Sequence, residues 1–153
     1  MLENIDNMQK YENYKEQMGR LKRALNSHFY LEAIFIEYAI MEDRLESGLR
    51  HAGRWNPKPD EFISLNRKVT LVRKMSEQKK SLAQKYFSQE LLDDILLWKE
   101  DRNRMIHALL KQNIHSEDLL DIAEKGNTLV KILCNKTKSF NHMIDKQMIS
   151  KSK

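Results

Sequence analysis

The residues best suited to chemistry lie together near the middle of the chain, between Arg102 and His107. This segment carries two arginines, a side-chain amide and an imidazole. An imidazole takes up and releases a proton near neutral pH, and arginine offers a permanent, forked positive charge to phosphate oxygens. These groups suit cleavage of RNA by its own 2′-hydroxyl, because that reaction needs proton transfer and stabilisation of negative charge at phosphorus. Such a reaction requires no metal ion.

The helix that carries this segment must bring its side chains together. On a regular helix Asn103 and His107 share a face because they are four positions apart, and Arg104 lies three positions before His107. Arg102 precedes His107 by five positions, so about 140° of rotation separates them, and a long side chain or a local distortion must close the gap. We predict catalytic roles for Arg102, Asn103 and His107, and substrate binding by Arg104 and Lys111.

The arrangement of Arg102, Asn103 and His107 resembles the R-x4-6-H signature of the HEPN superfamily, whose members are small α-helical domains and in many cases metal-independent RNases. The similarity covers roughly residues 27–145. It includes the position of the motif late in a long helix, after a nearly all-apolar core helix that ends in Glu-Asp-Arg. Ala108 and Leu109 follow the histidine, whereas several toxin-type members have a tyrosine two positions on, so the tyrosine-dependent modification of that subgroup is not implied.

The resemblance implies an endoribonuclease, with His107 as general acid and base and Arg102 stabilising the phosphate. One histidine per chain cannot easily be both base and acid, and in the family the motifs of two subunits commonly face each other, so a homodimer is expected. The resemblance also implies RNA as the partner, no cofactor, and a bacterial toxin or defence effector that is held in check by an antitoxin protein.

Two other functions are compatible with the same residues. One is a HEPN-like domain without catalysis that binds RNA or a protein. The other is a plain helical dimerisation or adaptor module, in which His107 is an ordinary helix histidine and the arginines form surface pairs with neighbouring acids.

An acid in the apolar run of the core helix, Glu37, is a candidate supporting residue. A buried carboxylate is costly without a partner, and Arg102 or Arg104 is the expected one. The alternative is that Glu37 occupies a narrow exposed stripe. A loop tryptophan, Trp55, beside Arg54, is either a platform for stacking a base or tucked against the bundle.

The composition predicts a helix-rich domain. Glycine and proline are few, at four and two residues, and the single cysteine, Cys134, rules out an intrachain disulfide and makes a cysteine-based zinc site implausible. The histidines lack metal-ligand spacing, so we expect no metal. A formal charge of +5 favours a polyanionic partner. The start of the chain lacks the pattern of a signal peptide and no long apolar run occurs, so we expect no membrane segment and a cytoplasmic location.

Hydrophobic periodicity predicts an all-α fold, a single domain over residues 1–153 that forms an antiparallel bundle of about five helices. Residues 1–26 are predicted as a surface helix or arm, and residues 146–153 as a frayed basic tail. The other helices are predicted over residues 27–52, 61–79 with Asp60 as N-cap, 88–112 with Ser88 as N-cap, and from 117 onward.

Overall fold

The computed structural model describes residues 5–152 of the chain, which fold into six helices without a strand. The predicted all-α class is therefore confirmed. The helices are α1 (Asn7–Asn26), α2 (Tyr30–His51), α3 (Leu65–Glu77), α4 (Leu82–Tyr86), α5 (Gln89–Ala108) and α6 (Ser116–Lys151). No described helix is both long and apolar enough to cross a membrane.

The α2 helix lies at the centre of the bundle and packs against α1, α3 and α6. Its apolar residues are buried on several faces, as the nearly continuous apolar run predicts. The α1 helix runs antiparallel to it, because Arg20 near the end of α1 pairs with Glu32 near the start of α2, at 3.3 Å. Leu21 and Ala24 of α1 are buried, so this segment is a packed helix of the bundle and not a free arm.

The α6 helix runs parallel to α2, which corrects the prediction of an antiparallel bundle. Glu37 of α2 lies against Gly126, and further along both helices Asn141 donates a hydrogen bond to Ser47 Oγ at 3.0 Å. The chain can return to the same end of the bundle because α3, α4 and α5 intervene between the two helices. Periodicity shows which face of a helix is buried and carries no information on direction, so the sequence did not reveal this order.

Helix α4 is the element that the sequence prediction missed. It has five residues, too few to show a helical period, and Ser81 caps it by accepting a hydrogen bond from the Gln84 backbone N–H at 3.3 Å. The helix positions the residue that follows it, Phe87, in the core. Phe87 is fully buried and packs edge-on against Phe140 of α6, with ring centroids 5.1 Å apart.

Several helix ends also differ from the predicted positions. Ser64, and not Asp60, caps α3, since its hydroxyl accepts from the Arg67 backbone N–H at 3.2 Å while Asp60 adopts a left-handed backbone with φ of 63°. Ser88 caps α5 as predicted, but the helix ends at Ala108. The tail is helical to Lys151, because neither glycine nor proline follows Gly126 in the sequence.

Gly126→Ala is expected to destabilise the protein by roughly 1–3 kcal/mol, as overfilling of a packed core does. A Cβ atom there would lie 2.7 Å from Glu37 Cδ and 2.8 Å from Trp98 Nε1, and both side chains are buried. Urea denaturation measures the effect. Gly19→Ala is the matched control, because its Cβ would meet only the end of the Arg23 side chain, at 3.2 Å, which can move away.

The same clash makes a second variant informative. Adding Glu37→Ala to Gly126→Ala removes the carboxyl that the new methyl group meets, so the double variant should recover part of the lost stability. Strict additivity of the two substitutions would contradict the contact.

Candidate functional site

Helix α5 carries the Arg102–His107 segment in its last two turns. Its core-facing stripe includes Ile95, Trp98 and Met105, all buried, and Arg102 falls on that stripe because it lies four residues after Trp98 and three before Met105. The guanidinium is therefore directed at α2, in a position that an apolar side chain would ordinarily fill.

Two aromatic side chains of α2 receive the guanidinium of Arg102. Its central carbon lies 4.1 Å from the ring centroid of Tyr38 and 5.6 Å from that of Phe35. Tyr38 also contacts Trp98, at a centroid distance of 6.4 Å, so two residues of α5, Trp98 and Arg102, pack on its ring. A cation over an aromatic ring is stabilised by roughly 0.5–2 kcal/mol, depending on how far it is desolvated. Sequence reasoning missed both aromatic residues, although their spacing of three on one helix is a signal for a shared face.

The hydrogen bonds of Arg102 leave its charge uncompensated. Its Nη1 donates to Asn103 Oδ1 at 2.9 Å, and its buried Nε has no partner among the described residues. No carboxylate of the described chain lies within ion-pair distance, 4.0 Å, of this guanidinium, and an amide oxygen brings a dipole without a net charge. By contrast, Arg104 is 76% exposed and forms an ion pair with Asp101.

His107 lies one helical turn beyond Asn103, in the last turn of α5, and is exposed. Its side chain makes no hydrogen bond or ion pair with another described residue. Because α5 is regular through Ala108, the angle of about 140° between Arg102 and His107 is not reduced by a distortion. The structure thus brings Arg102 and Asn103 together, places Asn103 and His107 on one flank, and leaves His107 separate from Arg102.

The two predicted substrate-binding cations occupy different surroundings. Arg104 points away from the core-facing stripe and its charge is balanced by Asp101. Lys111 is exposed in the turn after α5. Two large apolar side chains next to these motif residues are exposed: Leu110, beside Lys111 in the chain, is fully exposed, and Phe35, whose ring lies 5.6 Å from the Arg102 guanidinium, is 62% exposed.

Glu37 is fully buried, so the prediction of an exposed stripe is wrong. The predicted ion pair is also wrong, because neither carboxyl oxygen has a hydrogen-bond partner among the described residues and no contact with Arg102 or Arg104 occurs. The reason is geometric: adjacent residues on a helix are about 100° apart, so Tyr38 faces α5 while Glu37 faces Gly126 of α6. Burial raises the pKa of Glu37 to about 9, and the group is neutral at pH 7.

Trp55 packs against the bundle, the second of its two predicted roles. It is half-buried, and cationic groups of Arg50 and Lys68 lie over its ring, each 5.6 Å from the centroid. No group of three or more His, Cys, Asp or Glu side chains within residues 5–152 has the geometry of a metal site.

Comparison with models of known protein families, with curated proteins and with solved structures gave no match.

Glu37→Gln is expected to change how stability depends on pH. The folded protein holds a proton on Glu37 up to a pKa of about 9, whereas the unfolded chain releases it near 4.5. The wild type therefore loses stability as pH rises between these values, by roughly 1.4 kcal/mol per pH unit from this group. Glutamine is neutral at every pH, so the free energy of unfolding of the variant should be close to that of wild type near pH 4.5 and higher than that of wild type at pH 7.

Urea unfolding at a series of pH values tests this expectation. Glu16→Gln is the matched control, since Glu16 is exposed on α1, and its curve should run parallel to that of wild type. A Glu37→Gln curve parallel to wild type over the whole range would show that the carboxyl is not held neutral in the folded protein.

Proposed function

We propose that this chain is a metal-independent endoribonuclease of HEPN type that works as a homodimer. The observation that carries the proposal is the state of Arg102, whose guanidinium is fixed by Tyr38 and Asn103 without being neutralised. A fixed, uncompensated cation suits stabilisation of a cleaving phosphodiester, because charge that is already oriented needs no reorganisation in the transition state, and the same helix carries an exposed histidine.

The proposed reaction begins at the 2′-hydroxyl of the RNA. Neutral His107 takes the hydroxyl proton while the oxygen attacks the adjacent phosphorus. Arg102 stabilises the negative charge that builds on the phosphoryl oxygens, and Asn103 orients Arg102 by accepting a hydrogen bond from its Nη1. The 5′-oxygen then leaves with a proton from a second imidazole. The products are a 2′,3′-cyclic phosphate and a free 5′-hydroxyl, and no metal ion or external reductant enters the balance.

The splayed arrangement of Arg102 and His107 supports a dimeric site. On one helix they diverge by about 140°, so a second copy would have to supply the complementary imidazole on the far side of the phosphate. The exposed ring of Phe35 lies beside Arg102 and would be covered by that copy. A toxin or defence role with an antitoxin partner remains part of this proposal through the family resemblance alone.

One observation favours a second candidate, a HEPN-like domain that binds RNA without cleaving it. Arg102 is also a packing group, since it covers Tyr38 in the core-facing stripe of α5. Under this candidate the guanidinium would contact phosphate and His107 would have no chemical role.

His107→Ala is expected to reduce cleavage by at least about 100-fold, the usual contribution of a general acid and base. Cleavage of mixed cellular RNA is measured in EDTA, with analysis of the end groups for a cyclic phosphate. His142→Ala is the matched control, since His142 is an exposed histidine of α6 outside the motif, and it should cleave like wild type. Equal loss of cleavage in both variants would contradict the role of His107. If wild type and both variants bind RNA but leave it intact, the second candidate is favoured.

Arg102→Gln is expected to reduce cleavage by about 100-fold or more, because it removes the fixed charge at the phosphate. Arg104→Gln is matched in charge change on the same helix, and Asp101 already balances Arg104, so its effect should stay within a few fold. Urea denaturation of both variants separates lost charge from lost packing on Tyr38. Similar activity of the two variants would contradict a special role for Arg102.

A further inference from the structure

An open cleft of about 410 Å³ lies where α2, α3, α4 and α6 meet. Its lining is mainly polar and includes Gln78, Ser81 and Gln147, while the apolar residues Met75, Ala83 and Phe140 beneath them are buried. A second cleft of about 300 Å³ adjoins it and shares Ile144 and Lys151 with it. The volume falls within the range of small-molecule sites, roughly 300–1,000 Å³.

Three cations from separate segments line this cleft. Arg54 comes from the loop after α2, Lys80 from the turn between α3 and α4, and Lys151 from the last turn of α6. No carboxylate lines the cleft, and none of the three cations forms an ion pair with another described residue. Asp145, whose Oδ1 lies 4.0 Å from His51 Nε2, is not among the lining residues of either cleft. Within residues 5–152, the cleft therefore has three cations and no carboxylate in its lining.

Arg54 is held in position by a neutral group. Its Nη2 donates to Gln78 Oε1 at 2.7 Å, and Gln78 also lines the cleft. This partner orients the guanidinium and leaves its charge available. Among the arginines whose side-chain hydrogen bonds are described, only Arg54 and Arg102 have an amide as their sole partner.

The turn that supplies Lys80 has an unusual backbone. Lys80 adopts φ of 60°, a left-handed conformation that glycine or asparagine enters more easily. Ser81, the next residue, also lines the cleft and caps α4 through its hydroxyl. Strained backbone of this kind persists where the surroundings define it strongly, and it places a lysine at the cleft in a turn that does not require one.

We propose that this cleft binds a nucleotide unit, with its phosphate at Arg54, Lys80 and Lys151 and its base against the side-chain amides of Gln78 and Gln147, which also line the cleft. Arginine and lysine side chains match phosphate oxygens, and amide groups both donate to and accept from the edge of a base. The unit is either a free nucleotide or the terminal nucleotide of an RNA strand. The site is distinct from the Arg102 surface, because Ala52 at its edge lies about 20 Å along α2 from Tyr38, at 1.5 Å per residue. It stands whether or not the chain cleaves RNA.

The test is titration of the ¹⁵N-labelled full chain, followed by NMR, with inorganic phosphate, AMP and a 20-nucleotide single-stranded RNA in turn. AMP is expected to shift the backbone amides of Gln78, Lys80 and Ser81, and inorganic phosphate to shift them more weakly. The double variant Arg54→Gln/Lys80→Gln should lower AMP affinity at least about tenfold, because two charge-assisted contacts are lost. Its amide spectrum away from the cleft and its urea denaturation show whether it is folded.

The matched control is Arg67→Gln/Lys74→Gln, which removes the same charge from exposed positions of α3 and should bind AMP like wild type. AMP binding that is lost in the first variant and kept in the control supports the free nucleotide. Shifts of Gln78, Lys80 and Ser81 with RNA alone, lost in the first variant and kept in the control, support the strand end, and the slope of log affinity against log salt should then fall by about 0.7 for each contact removed. No shift with any probe, or equal loss in both variants, overturns the proposal. His107→Ala should leave these shifts unchanged, so failure here and failure of RNA cleavage are separable.

Discussion

The close approach of α2 and α6 at Gly126 is the contact on which the rest of this bundle depends. A glycine there leaves room for the carboxyl of Glu37 and for the indole of Trp98, and any Cβ would collide with both. The indole N–H of Trp98 in turn donates to the Ile122 carbonyl at 2.9 Å, which fixes α5 to α6. Trp98 then contacts Tyr38, and Tyr38 receives Arg102. The position of the candidate phosphate-binding group thus follows, one contact at a time, from the absence of a side chain on α6.

The two arginines with amide partners explain why the basic surface of this protein is not uniform. Arg20, Arg44, Arg50, Arg73 and Arg104 have their charges balanced by nearby carboxylates, so these cations contribute little to binding an anion. Arg102 and Arg54 are oriented by Asn103 and Gln78, which bring no net charge. These two guanidinium groups lie about 20 Å apart along α2, one at Tyr38 and the other in the loop after the helix.

The sequence predicted the helical class, the central position of α2 and the serine cap of α5, because these follow from composition, local periodicity and local hydrogen bonding. It failed where the answer depends on contacts between distant segments. The parallel order of α2 and α6, the partner of Glu37 and the aromatic support under Arg102 are all of this kind. The Arg102–His107 motif is recognisable from residue types within six positions. The cleft at Arg54 is formed by residues nearly 100 positions apart, so no local sequence pattern predicts it.

Glu37 and Tyr38 connect the stability of the bundle to the charge of the candidate site. They are adjacent on α2, with the guanidinium of Arg102 on the Tyr38 side and Gly126 of α6 on the Glu37 side, so an ionised Glu37 would add a negative charge one residue from the ring that supports Arg102. Burial prevents this by raising the pKa of Glu37 to about 9, which keeps the carboxyl neutral at pH 7. A low-dielectric interior would otherwise transmit the interaction strongly. The same burial that makes Glu37 a burden on stability therefore keeps its carboxyl from adding a negative charge beside Tyr38, the residue that supports Arg102.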